Sequence, residues 1–234
     1  DRSFGAMVRV ALAPCSPFSV TKELMIRSAE LAEKLDVRLH THFAENSEDD
    51  DFSIATFGCR PFEYLREVGW LSNRTWVAHC VMPNDDEQRR LGAAGIGVAH
   101  CPNSNLILSS GIAPTMAMRR YGVKVGLGVD GSSSADAASM WLEARQALLV
   151  AKLRERDPDV RVTVTDVLTK VCAMALQRHR DVNVQFTSDA LLRFAHSNVG
   201  IAVAAPTGLV VPVIRDAERL SLERVHVLRE CLEW

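Results

Sequence analysis

The sequence lacks the features that mark several common classes of protein. None of its apolar runs approaches the roughly 18 residues that a membrane-spanning helix requires. Lys and Arg number 27 against 29 Asp and Glu, for a net charge of −2, and without a basic excess we expect no nucleic-acid partner. The opening residues, from Asp1 to Phe4, are not those of a signal peptide. A site for a small molecule, with no membrane partner, is the expectation.

Cys-x-x-Cys pairs are also absent, although the chain has six cysteines among its 234 residues. Scattered single cysteines in a chain of this size favour reduced thiols in the cytoplasm over a disulfide framework. The composition is 47% apolar and 24% charged, which is ordinary for a globular protein. We therefore expect a cytoplasmic protein with one large or two small domains.

What the sequence does contain is a short apolar run followed by a helical pattern, five times over. The predicted strands are residues 8–13, 37–43, 74–79, 95–100 and 123–128. Helices are predicted to begin near residues 21, 61, 84, 115 and 137. This alternation predicts an α/β fold in which helices cover a parallel sheet, either a doubly wound sheet or a (β/α) barrel.

Polar side chains at the ends of these strands favour the barrel. At or just beyond the carboxyl end of successive strands lie Cys15, His42 with Glu45, His79, His100 and Asp130. Barrel enzymes assemble their active sites at that edge from several strands at once. One histidine there is usually a packing residue, but four of the seven histidines, with His40 counted beside His42, lie at the ends of these strands, which favours a site.

The stretch from His40 to Glu45 (HTHFAE) has the clearest chemistry. Alternate side chains of a strand share a face, so His40 and His42 point the same way and Glu45 can fold back over them. A neutral imidazole beside a carboxylate suits a divalent metal with a proton shuttle next to it. Taken alone, the stretch is more typical of a strand that ends in polar residues than of a metal site.

The pattern changes after residue 153, so we place a junction at residues 154–160 between a first part, 1–153, and a second, 161–234. The second part predicts an α+β fold. Thr163 or Thr165 caps a helix, residues 182–186 form a strand, and residues 221–232 form a closing helix. Strands at 199–205 and 209–214 form a hairpin around Pro206-Thr207-Gly208.

Five stretches of the first part resemble the amidohydrolase superfamily, in particular its aminohydrolase branch with the 8-oxoguanine deaminases and hydroxyatrazine-type hydrolases. They are ALAPCSPFS (11–19), HTHFAE (40–45), WVAHC (76–80), GVAHCPNSN (97–105) and VGLGVDG (125–131). The resemblance implies strands four to eight of a distorted (β/α)₈ TIM-like barrel. It also implies a metal-dependent deaminase of 8-oxoguanine or of a related purine, pyrimidine or triazine.

The resemblance assigns roles to individual residues. His42 would be a metal ligand, and Glu45 would protonate a ring nitrogen and shuttle protons. His79 would orient the attacking water, whereas Asp130 would bind the metal and take a proton from that water. The metal would be divalent, zinc first and iron as an alternative.

Two further residues have weaker assignments. Cys15 would line the substrate pocket or be a small buried thiol, whereas His100 would lie behind the ligands or in the packing. His40 would be a packing residue. The His-x-His pair of the family's first strand has no counterpart before residue 11, so we expect an incomplete site. Exposed sheet edges predict association between copies of the chain.

Residues 161–225 resemble the catalytic domain of the dihydrolipoamide acyltransferases, which has a chloramphenicol-acetyltransferase-like fold. The His-x-x-x-Asp-Gly motif of that family is absent, because neither His179 nor His196 is followed by it. Two alternatives to the deaminase therefore stay open. One is a lipoyl-dependent acyltransferase fragment, and the other is a non-catalytic, partner-dependent module.

Overall fold

The chain forms two compact units, residues 1–157 and residues 158–234. Their structure is a computed structural model that describes residues 8–157, 164–205, 208–222, 224–225 and 228. The predicted junction at 154–160 overlaps the end of the first unit and residues outside the described ranges, so its position stays a prediction. In the described part of the chain, no helix has both the length and the apolar character needed to cross a membrane.

The first unit is built on one parallel sheet of five strands in the order β1-β2-β3-β4-β5. These strands are β1 (Ala11–Leu12), β2 (Arg38–Phe43), β3 (Thr75–His79), β4 (Gly97–His100) and β5 (Lys124–Leu127). Each strand pairs with its neighbour in the chain, which is the arrangement of successive β/α units, whereas a doubly wound sheet reverses its order at a switch point. The predicted α/β class is confirmed.

Within residues 8–157, seven helices alternate with these strands. They are α1 (Lys22–Leu35), α2 (Ser47–Phe57), α3 (Pro61–Glu67), α4 (Asp85–Ala93), α5 (Pro102–Ile107), α6 (Thr115–Arg120) and α7 (Met140–Glu155). The predicted cap of α1 is confirmed, because the Thr21 hydroxyl accepts a hydrogen bond from Leu24 N. Helices α2 and α5 were not predicted, although Asn46 caps the acidic first turn of α2 and Pro102 opens α5.

The two faces of the sheet differ in burial. Leu39, Phe43, Val77 and Val98 belong to the main hydrophobic core, together with helix residues such as Met25 and Leu91. His40, His42 and Trp76 alternate with those strand residues and are only half-buried. As predicted, His40 and His42 are therefore on the same face of β2.

The second unit has the predicted α+β character. Its elements are α8 (Val164–Arg178), β6 (Val184–Phe186), β7 (Leu191–Arg193), β8 (Val199–Gly200), β9 (Val203–Ala205), β10 (Gly208–Val210) and β11 (Val213–Ile214). Strand β7, which pairs with β6, was not predicted. Of the closing helix predicted at 221–232, most residues lie outside the described ranges.

The predicted hairpin is present but interrupted. Strand β9 pairs with β10, and β8 pairs with β11, all antiparallel. Between the two ladders, Ile201 N donates to the Pro212 carbonyl, but Pro212 has no N–H to continue the ladder. Each predicted strand is therefore split in two. The predicted turn residues Pro206 and Thr207 lie outside the described ranges.

Candidate functional site

The ends of strands β2 and β3 and the residues after β5 bring three side chains together. His42, His79 and Asp130 each offer one ligand atom, and these atoms lie within 4.8 Å of one another. The backbone is left-handed at His79 (φ 67°) and Asp130 (φ 63°), and at Ala44 (φ 46°), just before Glu45. Such conformations cost free energy in residues other than glycine and are concentrated at functional sites.

His42 is oriented by the backbone of the preceding strand–loop segment. Its Nδ1 lies 2.7 Å from the Cys15 carbonyl oxygen, which also accepts the His42 backbone N–H at 2.9 Å. Because Nδ1 carries the proton in this hydrogen bond, Nε2 has the free lone pair. Cys15 thus reaches the site through its carbonyl oxygen, while its thiol belongs to an exposed residue.

His79 lies at the centre of the site and is only 1% exposed. Its Nδ1 is 2.8 Å from Asn105 Oδ1, so this imidazole also has its proton on Nδ1 and its lone pair on Nε2. The Nε2 atom is 3.6 Å from Glu45 Oε2 and 3.8 Å from Asp130 Oδ2. The ring stacks on that of His42 with centroids 5.3 Å apart.

Asp130 is held by two hydroxyl groups. Ser104 Oγ donates to Asp130 Oδ2 at 2.5 Å, and Ser134 Oγ donates to the same oxygen at 3.2 Å. Burial by itself would raise the pKa of Asp130, but the hydrogen bonds from Ser104 and the Gly131 backbone N–H, together with nearby His79, lower it below its ordinary value. Asp130 is therefore a carboxylate at neutral pH.

Glu45 lies beside His79, on the loop that follows β2. Its Oε1 accepts a hydrogen bond from Ser110 Oγ at 3.3 Å. Its backbone N–H donates to Asp49 Oδ2 at 2.8 Å, which ties the loop to the start of α2. Burial raises the pKa of Asp49. The carboxyl group of Glu45 faces Nε2 of His79, whereas Asn105 contacts Nδ1 on the other side of the ring.

The three-residue group has the donors that zinc prefers. Imidazole nitrogen and carboxylate oxygen are its usual ligands in catalytic sites, which have three protein ligands. Both histidines give their Nδ1 proton to a carbonyl oxygen, so Nε2 is the nitrogen available to a metal, and Asp130 is ionised. His79, predicted to orient water, thus also lies within reach as a third ligand.

The other two histidines of the sheet are His40, predicted to be a packing residue, and His100, predicted to lie behind the ligands or in the packing, and both roles stay predictions. His40 stacks on Trp76 with centroids 4.6 Å apart, and its Nδ1 lies 3.1 Å from the Trp76 carbonyl oxygen. His100 is 2% exposed, and in the described part of the chain neither of its ring nitrogens has a hydrogen-bond partner. Burial lowers the pKa of His100 to about 4.

Four residues around the site received no role from the sequence: Ser104, Asn105, Ser110 and Ser134. The polar run of residues 103–105 directly after a strand-end histidine was the available signal, since polar side chains there are placed next to the neighbouring strand ends. The contact of Ser110 with Glu45 spans 65 residues of chain and left no local signal, whereas Ser134 contacts Asp130 from four residues away.

The second unit contains another group with ligand atoms within 4.8 Å, formed by His196, Asp216 and Glu218. Here His196 Nδ1 is bonded directly to Glu218 Oε1 at 2.9 Å, and the Ser197 backbone N–H donates to Glu218 Oε2 at 3.0 Å. Lys170 Nζ bonds the carbonyl oxygens of Ala217, Glu218 and Leu220. These bonds tie the turn that carries Glu218 to α8 and to the segment before β8.

Comparison with family models gives two matches. The model of the amidohydrolase family matches residues 2–179. The model of the 2-oxoacid dehydrogenases acyltransferase catalytic domain matches residues 133–230. Both resemblances predicted from the sequence are thereby confirmed. Because the two matches overlap between residues 133 and 179, they leave the junction between the two parts untested.

Individual proteins agree with the first of these matches. The chain is 57% identical over 154 residues to 8-oxoguanine deaminase from Pseudomonas aeruginosa, covering 66% of this chain and 34% of that protein. It is 37% identical over 173 residues to 5-methylthioadenosine/S-adenosylhomocysteine deaminase from Nitratidesulfovibrio vulgaris, covering 73% and 39%. The chain therefore spans less than half the length of these curated relatives.

A solved structure extends the comparison to the fold. The crystal structure of atrazine chlorohydrolase from Arthrobacter aurescens TC1 complexed with zinc superposes with a TM-score of 0.67 at 26% sequence identity. The superposition covers 97% of this chain and 55% of that one. The acyltransferase-like fold expected for the second part is supported by the match of the family model and stays a prediction.

Proposed function

We propose, from the premise that the chain belongs to the amidohydrolase family, that its first unit forms part of the active site of a metal-dependent aminohydrolase. The observation that carries this proposal is the position of His79 Nε2, which lies 3.6 Å from Glu45 and 3.8 Å from Asp130. His42 completes the group. The first unit would accordingly be five β/α units of the family's barrel.

The favoured substrate is an aromatic nitrogen heterocycle that bears an exocyclic amino group, 8-oxoguanine first. The 57% identity to 8-oxoguanine deaminase supports this choice over other rings. Related purines, pyrimidines and triazines are the alternatives. Since the chain covers 34% of that relative, we expect slow turnover from this chain by itself.

The residues of the site suit such a reaction. His42 and Asp130 would hold the metal, zinc first and iron second. When bound, the metal supplies a water molecule whose pKa is lowered towards neutrality. His79 Nε2 has a lone pair that accepts a hydrogen bond from the attacking water and so orients it.

Two carboxylates account for the protons. As the water oxygen adds to the ring carbon, Asp130 takes one proton from the water, and Glu45, which enters the reaction as the carboxylic acid, gives its proton to the adjacent ring nitrogen. The carbon–nitrogen bond then breaks, the proton held by Asp130 passes to the leaving nitrogen, and the proton on the new hydroxyl returns to Glu45. The ring nitrogen keeps its proton. Water and the amino compound thus give the oxo compound and ammonia, with both carboxylates back in their starting states.

Release of ammonia tests the proposal. The purified chain, incubated with zinc and 8-oxoguanine, isocytosine, a hydroxytriazine or 5-methylthioadenosine, is assayed by an ammonia-coupled reaction. We expect slow release, fastest with 8-oxoguanine, that Glu45→Gln lowers by about 100-fold or more. Asp216→Asn in the second unit, as the control, leaves the rate unchanged. If the zinc-loaded chain released no ammonia from any ring, catalysis by this chain would be excluded.

The second unit supports a weaker candidate, a lipoyl-dependent acyltransferase fragment. The match to residues 133–230 favours it, whereas the absence of the His-x-x-x-Asp-Gly motif argues against activity. Thiol release from acetyl-CoA with dihydrolipoamide as acceptor tests whether the chain has acyltransferase activity. We expect no turnover, and a clear rate would reverse this ranking.

A further inference from the structure

One short turn contacts two members of the site at once. Ser104 and Asn105 are adjacent residues of α5, and each is at most 1% exposed. Ser104 Oγ donates to Asp130 Oδ2, and Asn105 Oδ1 accepts the hydrogen bond from His79 Nδ1. The two site residues come from different strands, so this turn fixes their positions relative to each other.

The turn is itself anchored from α7. Glu143 accepts hydrogen bonds from the Asn103 backbone N–H at 3.1 Å and from Asn103 Nδ2 at 2.8 Å. Glu143 is 1% exposed, and in the described part of the chain no cation pairs with it. Burying a carboxylate costs free energy, and the hydrogen bonds that offset this cost all go to the residue next to Ser104.

We propose that residues 103–105, anchored by Glu143, are the positioning element of the site. Asn105 selects the tautomer of His79, Ser104 fixes the rotamer of Asp130, and Glu143 holds the turn that carries both. The proposal rests on the proposed function for its catalytic meaning. Its geometry concerns the metal-binding group alone, because partners behind a ligand set the ligand's orientation and tautomer.

Zinc affinity, measured by competition with a chelator, tests the part played by Ser104. We expect Ser104→Ala to lower the affinity about 10-fold to 100-fold. Ser104→Thr keeps the hydroxyl group and should recover most of the loss. Ser53→Ala is the matched control, since Ser53 is 4% exposed and donates to the Cys59 carbonyl oxygen away from the site. Equal losses in Ser104→Ala and Ser53→Ala would overturn the proposal.

The tautomer of His79, observed by nitrogen-15 NMR of the metal-free chain, tests Asn105. The unsubstituted chain should show the proton on Nδ1. Asn105→Leu should populate both tautomers, whereas Asn105→Asp keeps an acceptor oxygen and should preserve the Nδ1 proton. An unchanged tautomer in folded Asn105→Leu would contradict the assignment.

Glu143→Gln tests whether Glu143 anchors residues 103–105. Glu143→Gln is nearly isosteric but offers one acceptor oxygen instead of two, so it should lower zinc affinity by less than Ser104→Ala. If it left zinc affinity and the His79 tautomer unchanged, Glu143 would not be part of the element. In the ammonia assay these variants should lower kcat with little change in KM. Because zinc affinity and the tautomer need no substrate, a chain that releases no ammonia would count against the proposed function alone.

Discussion

Each unit contains a cluster of histidine and acidic side chains. The two clusters differ in the hydrogen-bond partners of their histidines. In the first-unit cluster (His42, His79 and Asp130), each histidine gives its Nδ1 proton to a neutral carbonyl oxygen and keeps Nε2 free. In the second-unit cluster (His196, Asp216 and Glu218), His196 Nδ1 bonds the carboxylate of Glu218, which would itself have to be a ligand. Donor types within reach are thus not sufficient for a metal site, because the partner of each donor decides whether it is free.

The two clusters also differ in how far their histidines are exposed to solvent. The side chain of His79 is 1% exposed, whereas that of His196 is 38% exposed. Around the second-unit cluster, Lys170 and the Ser197 backbone N–H are bonded to the turn that carries Glu218. We infer that the second-unit cluster holds the hairpin against α8, whereas the first-unit cluster has the donors that the proposed metal site needs.

The largest expected difference is in zinc binding. Asp130→Asn removes one of the two proposed ligands, His42 and Asp130, so it should weaken zinc binding by about 1,000-fold, a share of the roughly 10–16 kcal/mol that a protein zinc site supplies. Asp216→Asn should change the affinity less than twofold. Titration with a chelator measures both. Equal losses would mean that the second-unit cluster binds the metal as well.

The next effect concerns acid stability and compares two histidines. His100 has a folded-state pKa of about 4, below its ordinary value, so from pH 6.5 down to pH 4 the unfolded chain binds a proton that the folded chain does not. Its contribution therefore lowers the free energy of unfolding by about 3 kcal/mol as the pH falls through that window.

His100→Leu should remove this part of the acid sensitivity. Urea unfolding of the metal-free chain at pH 7, 5.5 and 4, followed by tryptophan fluorescence, measures it. His196→Leu is the comparison variant, and it should leave the acid sensitivity of the first unit unchanged. The prediction is wrong if His100→Leu loses as much stability between pH 7 and pH 4 as the unsubstituted chain.

The smallest effect is expected at Glu218. Burial by itself would raise its pKa, but hydrogen bonds from the Ser197 backbone N–H and from His196 lower it below its ordinary value. Its contribution to stability is therefore present above pH 4.5 and is lost as the pH falls through the lowered pKa. Glu218→Gln should cost the second unit about 1 kcal/mol at pH 7, a difference that shrinks as the pH falls below 4. Zinc affinity should not change. A stability difference independent of pH would show that the charge of Glu218 is unimportant.

Much of the first unit could be predicted because its signals are local. Apolar runs gave the strands, and the polar residues that end them gave His42, His79 and Asp130. The Asn46 cap and the acids that follow it are a local signal of the same kind for α2. In the second unit, the interruption of the hairpin could not be predicted. The effect of Pro212 depends on which residue lies opposite to it in the hairpin, and that residue is Ile201.

The hydrogen bonds that orient the site residues could not be predicted from the sequence, because they join residues that are far apart in the chain. The contacts of Asn105 with His79 and of Ser104 with Asp130 each cross 26 residues of chain, and the Cys15 carbonyl reaches His42 from 27 residues away. Such contacts are fixed by the packing of whole strand–helix units, and no periodicity in the sequence reports on them. The ligand residues could therefore be predicted from the sequence. The tautomers of the histidines could not, because they depend on these long-range contacts.

The strand order has a consequence for folding. Neighbouring strands are consecutive in the chain, so each pairing closes a loop of moderate length, but the hydrogen bond from Ser110 to Glu45 spans 65 residues. Loop-closure entropy makes contacts of high sequence separation the slow ones to form. The sheet can therefore assemble strand by strand before the site exists. Metal affinity would then appear only in the last stage of folding.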